Sequence, residues 1–101
     1  MAKTDVRARI KPNIKISEPS MFKIIYINDE VTTMEFVVNS LVEHFQYTAD
    51  TAVKVTEDIH EGGSAVVAIL PYEIAEQKGI EVTLQARNQG FPLQVKIESE
   101  A

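Results

Sequence analysis

Residues 22–37 read Phe22-Lys23-Ile24-Ile25-Tyr26-Ile27-Asn28-Asp29-Glu30-Val31-Thr32-Thr33-Met34-Glu35-Phe36-Val37, and the rest of the chain is laid out around them. The first part is a nearly continuous apolar run, which predicts a strand over Met21–Ile27 covered on at least part of both faces. The last part predicts a helix start, with Thr32 as N-cap and Glu35 three residues later as its capping-box partner. Between them, Asn28-Asp29-Glu30 sets three polar side chains, two of them carboxylates, at the junction of strand and helix. A turn there holds negative charge and amide groups at the mouth of whatever cavity the two elements enclose. Such a mouth suits a positively charged hydrogen-bond donor.

Downstream, Met34, Val37, Val38, Leu41, Val42 and Phe45 recur at helical spacing, and Gln46-Tyr47 ends that helix. Thr48 caps a second helix that runs to about Glu61 and stops at Gly62-Gly63; its inward face is Ala52, Val53, Val55 or Thr56, and Ile59. Ser64–Leu70 is a short apolar strand closed by Pro71. Pro71 also stands near the first turn of a third helix, with Glu73 and Glu76 at its positive end. Ile74, Ala75, Val82 and Ala86 mark its inward face, and Gly79 is a weak spot costing about 1 kcal/mol relative to Ala. After Asn88-Gln89-Gly90, the alternation of Leu93, Val95, Ile97 with Gln94, Lys96, Glu98 predicts a half-exposed strand over Pro92–Glu98. The order is β-α-α-β-α-β, an α+β sandwich with a three-stranded sheet and three helices.

Upstream of residue 21 the pattern disappears. Residues 1–20 hold Pro12, Pro19 and scattered charge, and read as a flexible basic extension ahead of a core domain at 21–101. The net charge of −5 conceals an asymmetry: Lys3, Arg7, Arg9, Lys11 and Lys15 face only Asp5 and Glu18 in the extension. The core carries the other five bases against thirteen acids, the wrong sign for a phosphate-binding surface. No stretch nears the roughly 18 apolar residues of a membrane span, and the first twenty residues lack a signal peptide's apolar centre, so the cytoplasm is the expected location.

Catalytic chemistry finds no support. The chain has no cysteine, which excludes disulfides, thiol catalysis and thiolate metal sites. His44 falls at a polar position of the first helix and reads as solvated. Glu57, Asp58, His60 and Glu61 point in different directions around one helix and form no metal cluster. Gly62-Gly63-Ser64 lacks the Lys and spacing of a phosphate loop. A non-enzymatic binding module without cofactor or metal is expected. An α-ammonium has three donors and no acceptor, and Asn28, Asp29 and His60 supply one amide, one carboxylate and one imidazole to receive it. The competing reading of these residues is a plain turn and a helix C-terminus that favours a cation.

The quoted stretch resembles the signature of the ClpS adaptor family, roughly aromatic-Lys-Val-Ile-Leu-x-Asn-Asp-Asp-x-Thr-Pro/Thr-Met-Glu-Phe-Val. The resemblance continues through Ile59-His60-Glu61-Gly62-Gly63-Ser64-Ala65 and Tyr72-Glu73-Ile74-Ala75-Glu76-Gln77-Lys78 to Pro92-Leu93, covering about residues 20–98. It implies an adaptor of the Clp AAA+ protease that binds proteins with a large hydrophobic N-terminal residue (Leu, Phe, Tyr, Trp) and delivers them to the unfoldase ClpA or ClpC. Asn28, Asp29 and His60 would then hold the α-amino group. Thr32, Met34, Val37, Thr56, Ile59 and Leu93 would line the side-chain pocket, with Met34 at its rim. Glu73 and Lys78, together with the neighbourhood of His60, match the surface that meets the unfoldase's N-terminal domain, and residues 1–20 match the arm used in delivery. The implied fold is that of a ribosomal stalk protein's C-terminal domain. A monomer is expected, in a bacterial cytoplasm or a plastid stroma, with no membrane or nucleic-acid partner. The alternative is a ribosome- or nucleic-acid-associated domain using the basic arm.

Two positions depart from the family pattern. Glu30 replaces the commoner Asp, and Thr56 stands where many members have a Met that restricts the pocket. The shorter Thr predicts a roomier pocket that tolerates β-branched termini such as Ile or Val.

Overall fold

The computed structural model describes residues 20–101; the basic extension predicted at 1–20 lies outside them except for Ser20. The described residues form β1 (Met21–Ile27), α1 (Met34–Phe45), α2 (Ala49–Gly62), β2 (Ser64–Pro71), α3 (Tyr72–Asn88) and β3 (Gln94–Ser99), the predicted order. The sheet is antiparallel with strand order β2-β1-β3, so the apolar β1 is central. Ile27 pairs with Ser64 on one side and Gln94 on the other, and a register irregularity lies between Ile24 and Ile25 on the β2 side.

Ile24 and Tyr26 are fully buried with Leu41, Ala52, Ala75, Val82 and Ala86, which joins β1 to all three helices in one core. The Tyr26 hydroxyl meets Ser40 Oγ at 2.8 Å. Because Ser40 gives its own proton to the Val37 carbonyl at 2.8 Å, the phenol is the donor in that pair. Burial of the ring pushes the Tyr26 phenol well above its ordinary pKa, which keeps it neutral and able to donate.

Several expectations are corrected. The N-cap of α1 is Thr33, whose hydroxyl accepts from the Phe36 N–H at 3.1 Å, and not Thr32. Thr32 is engaged one turn earlier by Asp29. His44 is buried rather than solvated, because the stripe Val37–Leu41–His44 carries it beneath α3, where Nε2 meets Gln85 Oε1 at 2.9 Å. Val53 and Ile74 are exposed; the inward faces are Ala52, Thr56, Ile59 on α2 and Ala75, Gly79, Val82, Ala86 on α3. Gly79 is not merely a weak spot. A Cβ there would stand 3.3 Å from Ile97 Cδ1, so the bare backbone lets α3 approach β3. The last ladder begins at Gln94, two residues later than expected, because the Phe91 and Leu93 carbonyls are both held by Arg87.

Candidate functional site

The end of β1 and the end of α2 are tied together by backbone. The Asn28 N–H donates to the Gly63 carbonyl at 2.9 Å. Gly63 is the α2 C-cap at φ 93°, a conformation open to glycine with little strain, and its own N–H closes on the Ile59 carbonyl. The polar turn of β1 is thereby brought beside the last turn of α2, which carries Ile59 and His60.

Asp29 organises the turn itself. Its Oδ1 accepts from the backbone N–H groups of Val31 (2.8 Å) and Thr32 (2.7 Å), and its Oδ2 accepts from the Thr32 hydroxyl at 2.7 Å. Burial pushes the Asp29 pKa up, but these hydrogen bonds and the positive charge of Arg87 outweigh it and hold the carboxyl below its ordinary value. Among the described residues the ion pairs join His44 to Glu43 and Glu81 and Lys96 to Glu98, so the Asp29 charge has no cationic partner in contact.

Between this turn and α2 opens a cavity of about 330 Å³, lined by Asn28, Asp29, Glu30, Thr32, Met34, Val37, Thr56, Ile59 and His60. Eight of the nine residues expected to form the ammonium site and side-chain pocket thus share one cavity, all but Leu93. The polar ones sit at the strand end and on the last turn of α2. Val37, Thr56 and Ile59 form buried wall, whereas Met34 is 45% exposed at the start of α1. The Thr56 hydroxyl donates to the Ala52 carbonyl at 2.7 Å, so its polarity is satisfied within α2. Volume and composition suit one sizeable apolar side chain carrying a positive group at one end.

Leu93 is placed otherwise. It lies buried in the core and does not line the cavity. Glu73 is exposed in the first turn of α3, and Lys78 is half-buried with Nζ 6.0 Å from the centre of the Phe45 ring. Neither belongs to the cavity. A wider depression of about 490 Å³ runs between α1 and the end of α3, lined mainly by polar groups including Asn39, Glu43, Gln85 and Asn88. It lacks the apolar walls of the smaller cavity. Sequence reasoning missed Arg87, whose only signal was a base in the last turn of a helix.

The chain matches the family model for the ATP-dependent Clp protease adaptor protein ClpS over residues 17–96. It is 41% identical over 93 residues to the ATP-dependent Clp protease adapter protein ClpS of Clostridium acetobutylicum, covering 92% of each chain. Identity to the ClpS of Wolinella succinogenes is 39% over 95 residues, covering 94% of this chain and 93% of that one. The solved structure of Agrobacterium tumefaciens ClpS2 bound to L-phenylalaninamide superposes with a TM-score of 0.79 at 37% identity, covering 82% of this chain and all of that one. On the family match, these relatives and the shared fold, the chain belongs to the ClpS family of adaptor proteins of the ATP-dependent Clp protease.

Proposed function

We propose that this adaptor recognises the first residue of other proteins. Asn28, Asp29 and His60 receive the free α-ammonium, and Thr32, Met34, Val37, Thr56 and Ile59 enclose a large hydrophobic side chain such as Phe, Tyr, Trp or Leu. One observation carries the reading: an ionised, unpaired carboxylate stands at the mouth of a cavity whose walls are apolar. L-Phenylalaninamide, the molecule bound to the A. tumefaciens relative, has that shape: an ammonium, a benzyl group and one amide. Substrates held in this way are handed to a Clp unfoldase, ClpA or ClpC, through the surface around Glu73 and Lys78 on α3. That surface lies outside the cavity, so substrate and unfoldase can be held together. The protein performs no chemistry of its own, and the basic residues of 1–20 serve as the arm used in delivery.

The experiment is a pair of variants with separate readouts. Asp29→Ala should abolish binding of a fluorescent peptide beginning with Phe. Glu73→Lys with Lys78→Glu should leave that binding intact while stopping unfoldase-dependent degradation of the same substrate. Loss of neither function in either variant would overturn the proposal.

A further inference from the structure

The chain has no cysteine and no tryptophan, so the thioethers of its three methionines are its readily oxidised groups. Met1 lies outside the described residues. Met21 is half-buried at the start of β1, where it pairs with Pro71 and its carbonyl accepts from the Glu100 N–H at 3.0 Å. The length of β1, about 20 Å, separates it from the polar turn at Asn28. Met34 differs on both counts. It is 45% exposed, so solutes reach it, and it walls the cavity together with Val37, Thr56 and Ile59. As the first residue of α1, directly after the cap Thr33, it sits where the cavity opens and not in the core. Among the side chains that line the cavity, Met34 carries the one thioether.

We propose that Met34 is a modification site, and that its oxidation by a peroxide to methionine sulfoxide switches recognition of the first residue off. The inference rests on the reading of the cavity as the seat of a hydrophobic N-terminal side chain. In the step, a lone pair on Met34 Sδ attacks one oxygen of hydrogen peroxide; an S–O bond forms and the O–O bond breaks. The proton of the transferred oxygen passes to the other oxygen, which leaves as water. Sulfur gives up two electrons and the peroxide takes them. The product turns a flexible apolar side chain into a polar one with an acceptor oxygen. A benzyl or isobutyl group offers that oxygen no donor, so seating the ligand strips its water without replacement. Turning the oxygen out to solvent avoids this cost but lifts the side chain off the ligand. Both arrangements weaken binding. The fold is spared, because Ile24, Tyr26 and Leu41 hold the core without Met34. Sulfoxide reductases, one for each sulfur epimer, reverse the change.

The test treats the full chain with dilute hydrogen peroxide, locates each added oxygen by mass spectrometry of its peptides, and titrates a Phe-initiated peptide before and after. Oxidation at Met34 should weaken binding about tenfold, the scale of one polar group desolvated without a partner. Treatment with MsrA and MsrB together should restore it, while the amide NMR spectrum keeps the parent's fold throughout. Met21→Leu should lose affinity on treatment as the parent does. Met34→Leu, whatever its starting affinity, should be indifferent to peroxide. Met34→Gln, which sets a permanent polar group at the position, should bind weakly from the outset and be equally indifferent. Unchanged affinity in chains fully oxidised at Met34 would overturn the proposal, as would an equal peroxide-induced loss in Met34→Leu or unfolding of the oxidised chain. Met34 left intact while free methionine in the same solution is converted contradicts it as well. A parent chain that fails to bind the peptide before any treatment would instead overturn the reading of the cavity itself.

Discussion

The Thr32 hydroxyl donates to Asp29 Oδ2 at 2.7 Å while the Thr32 backbone N–H donates to Oδ1 of the same carboxylate, also at 2.7 Å. One residue thus grips both oxygens, fixes the plane of the carboxylate and leaves the helix to be capped by its neighbour Thr33. The grip also sets the acid behaviour of the site. Asp29 titrates below its ordinary value in the folded chain, so its contribution to stability is full above the unfolded value and disappears as pH falls through the folded one. Thr32→Val keeps the backbone donor and removes the hydroxyl. It should move the Asp29 NMR titration upward and weaken binding of a Phe-initiated peptide by about fivefold, the equivalent of one hydrogen bond of roughly 1 kcal/mol.

Thr56 controls how much room the cavity has. Its hydroxyl is turned to the Ala52 carbonyl, so within the cavity it acts as a short residue. Thr56→Met should lower the affinity for peptides beginning with Ile or Val more than for those beginning with Leu or Phe. Equilibrium titrations with the four peptides measure this; an Ile-to-Leu ratio unchanged by the substitution contradicts it.

The buried chain Tyr26–Ser40–Val37 makes an asymmetric prediction. Tyr26→Phe removes one donor and leaves Ser40 bonded to the Val37 carbonyl, at a cost of about 1 kcal/mol. Ser40→Ala strands the phenol hydroxyl in the core and should cost about 2 kcal/mol, with urea unfolding as the measurement. Equal costs would mean that the phenol finds another partner.

Gly79 tests the approach of α3 to β3. Ile97 Cδ1, the nearest atom to a new Cβ, is the end of a flexible side chain on an edge strand, so Ala is accommodated. The helix-propensity gain of about 1 kcal/mol is then largely offset by the tight contact, leaving Gly79→Ala within about 0.5 kcal/mol of the parent in thermal unfolding. Gly79→Leu has no such room and should destabilise by about 2 kcal/mol.

The elements were legible because their signals are local. The apolar run of β1, the Thr48 cap, the Gly63 stop and the alternation of Val95 and Ile97 each act within a few residues. The misplacements came from choices that adjacent residues could not decide. Thr32 and Thr33 are equal as caps until Asp29 engages the first, and His44 reads as polar until α3 closes over it. Val53 and Ile74 are apolar but sit beside the stripes that face inward, on the exposed flank. Within the site, Asn28, Asp29 and His60 could be grouped by chemistry. Leu93 and Arg87 could not be assigned in that way, because the loop that carries one is held by the other across the α3–β3 connection.

The most direct test of the account compares one peptide in two forms, a Phe-initiated peptide with a free N-terminus and the same peptide N-acetylated. Acetylation removes the ammonium and leaves the benzyl side chain and every later residue intact. The account predicts that the free peptide binds and that acetylation weakens it by about a hundredfold or more, because an ionised carboxylate then faces no cation. Equal affinity for the two forms would contradict it.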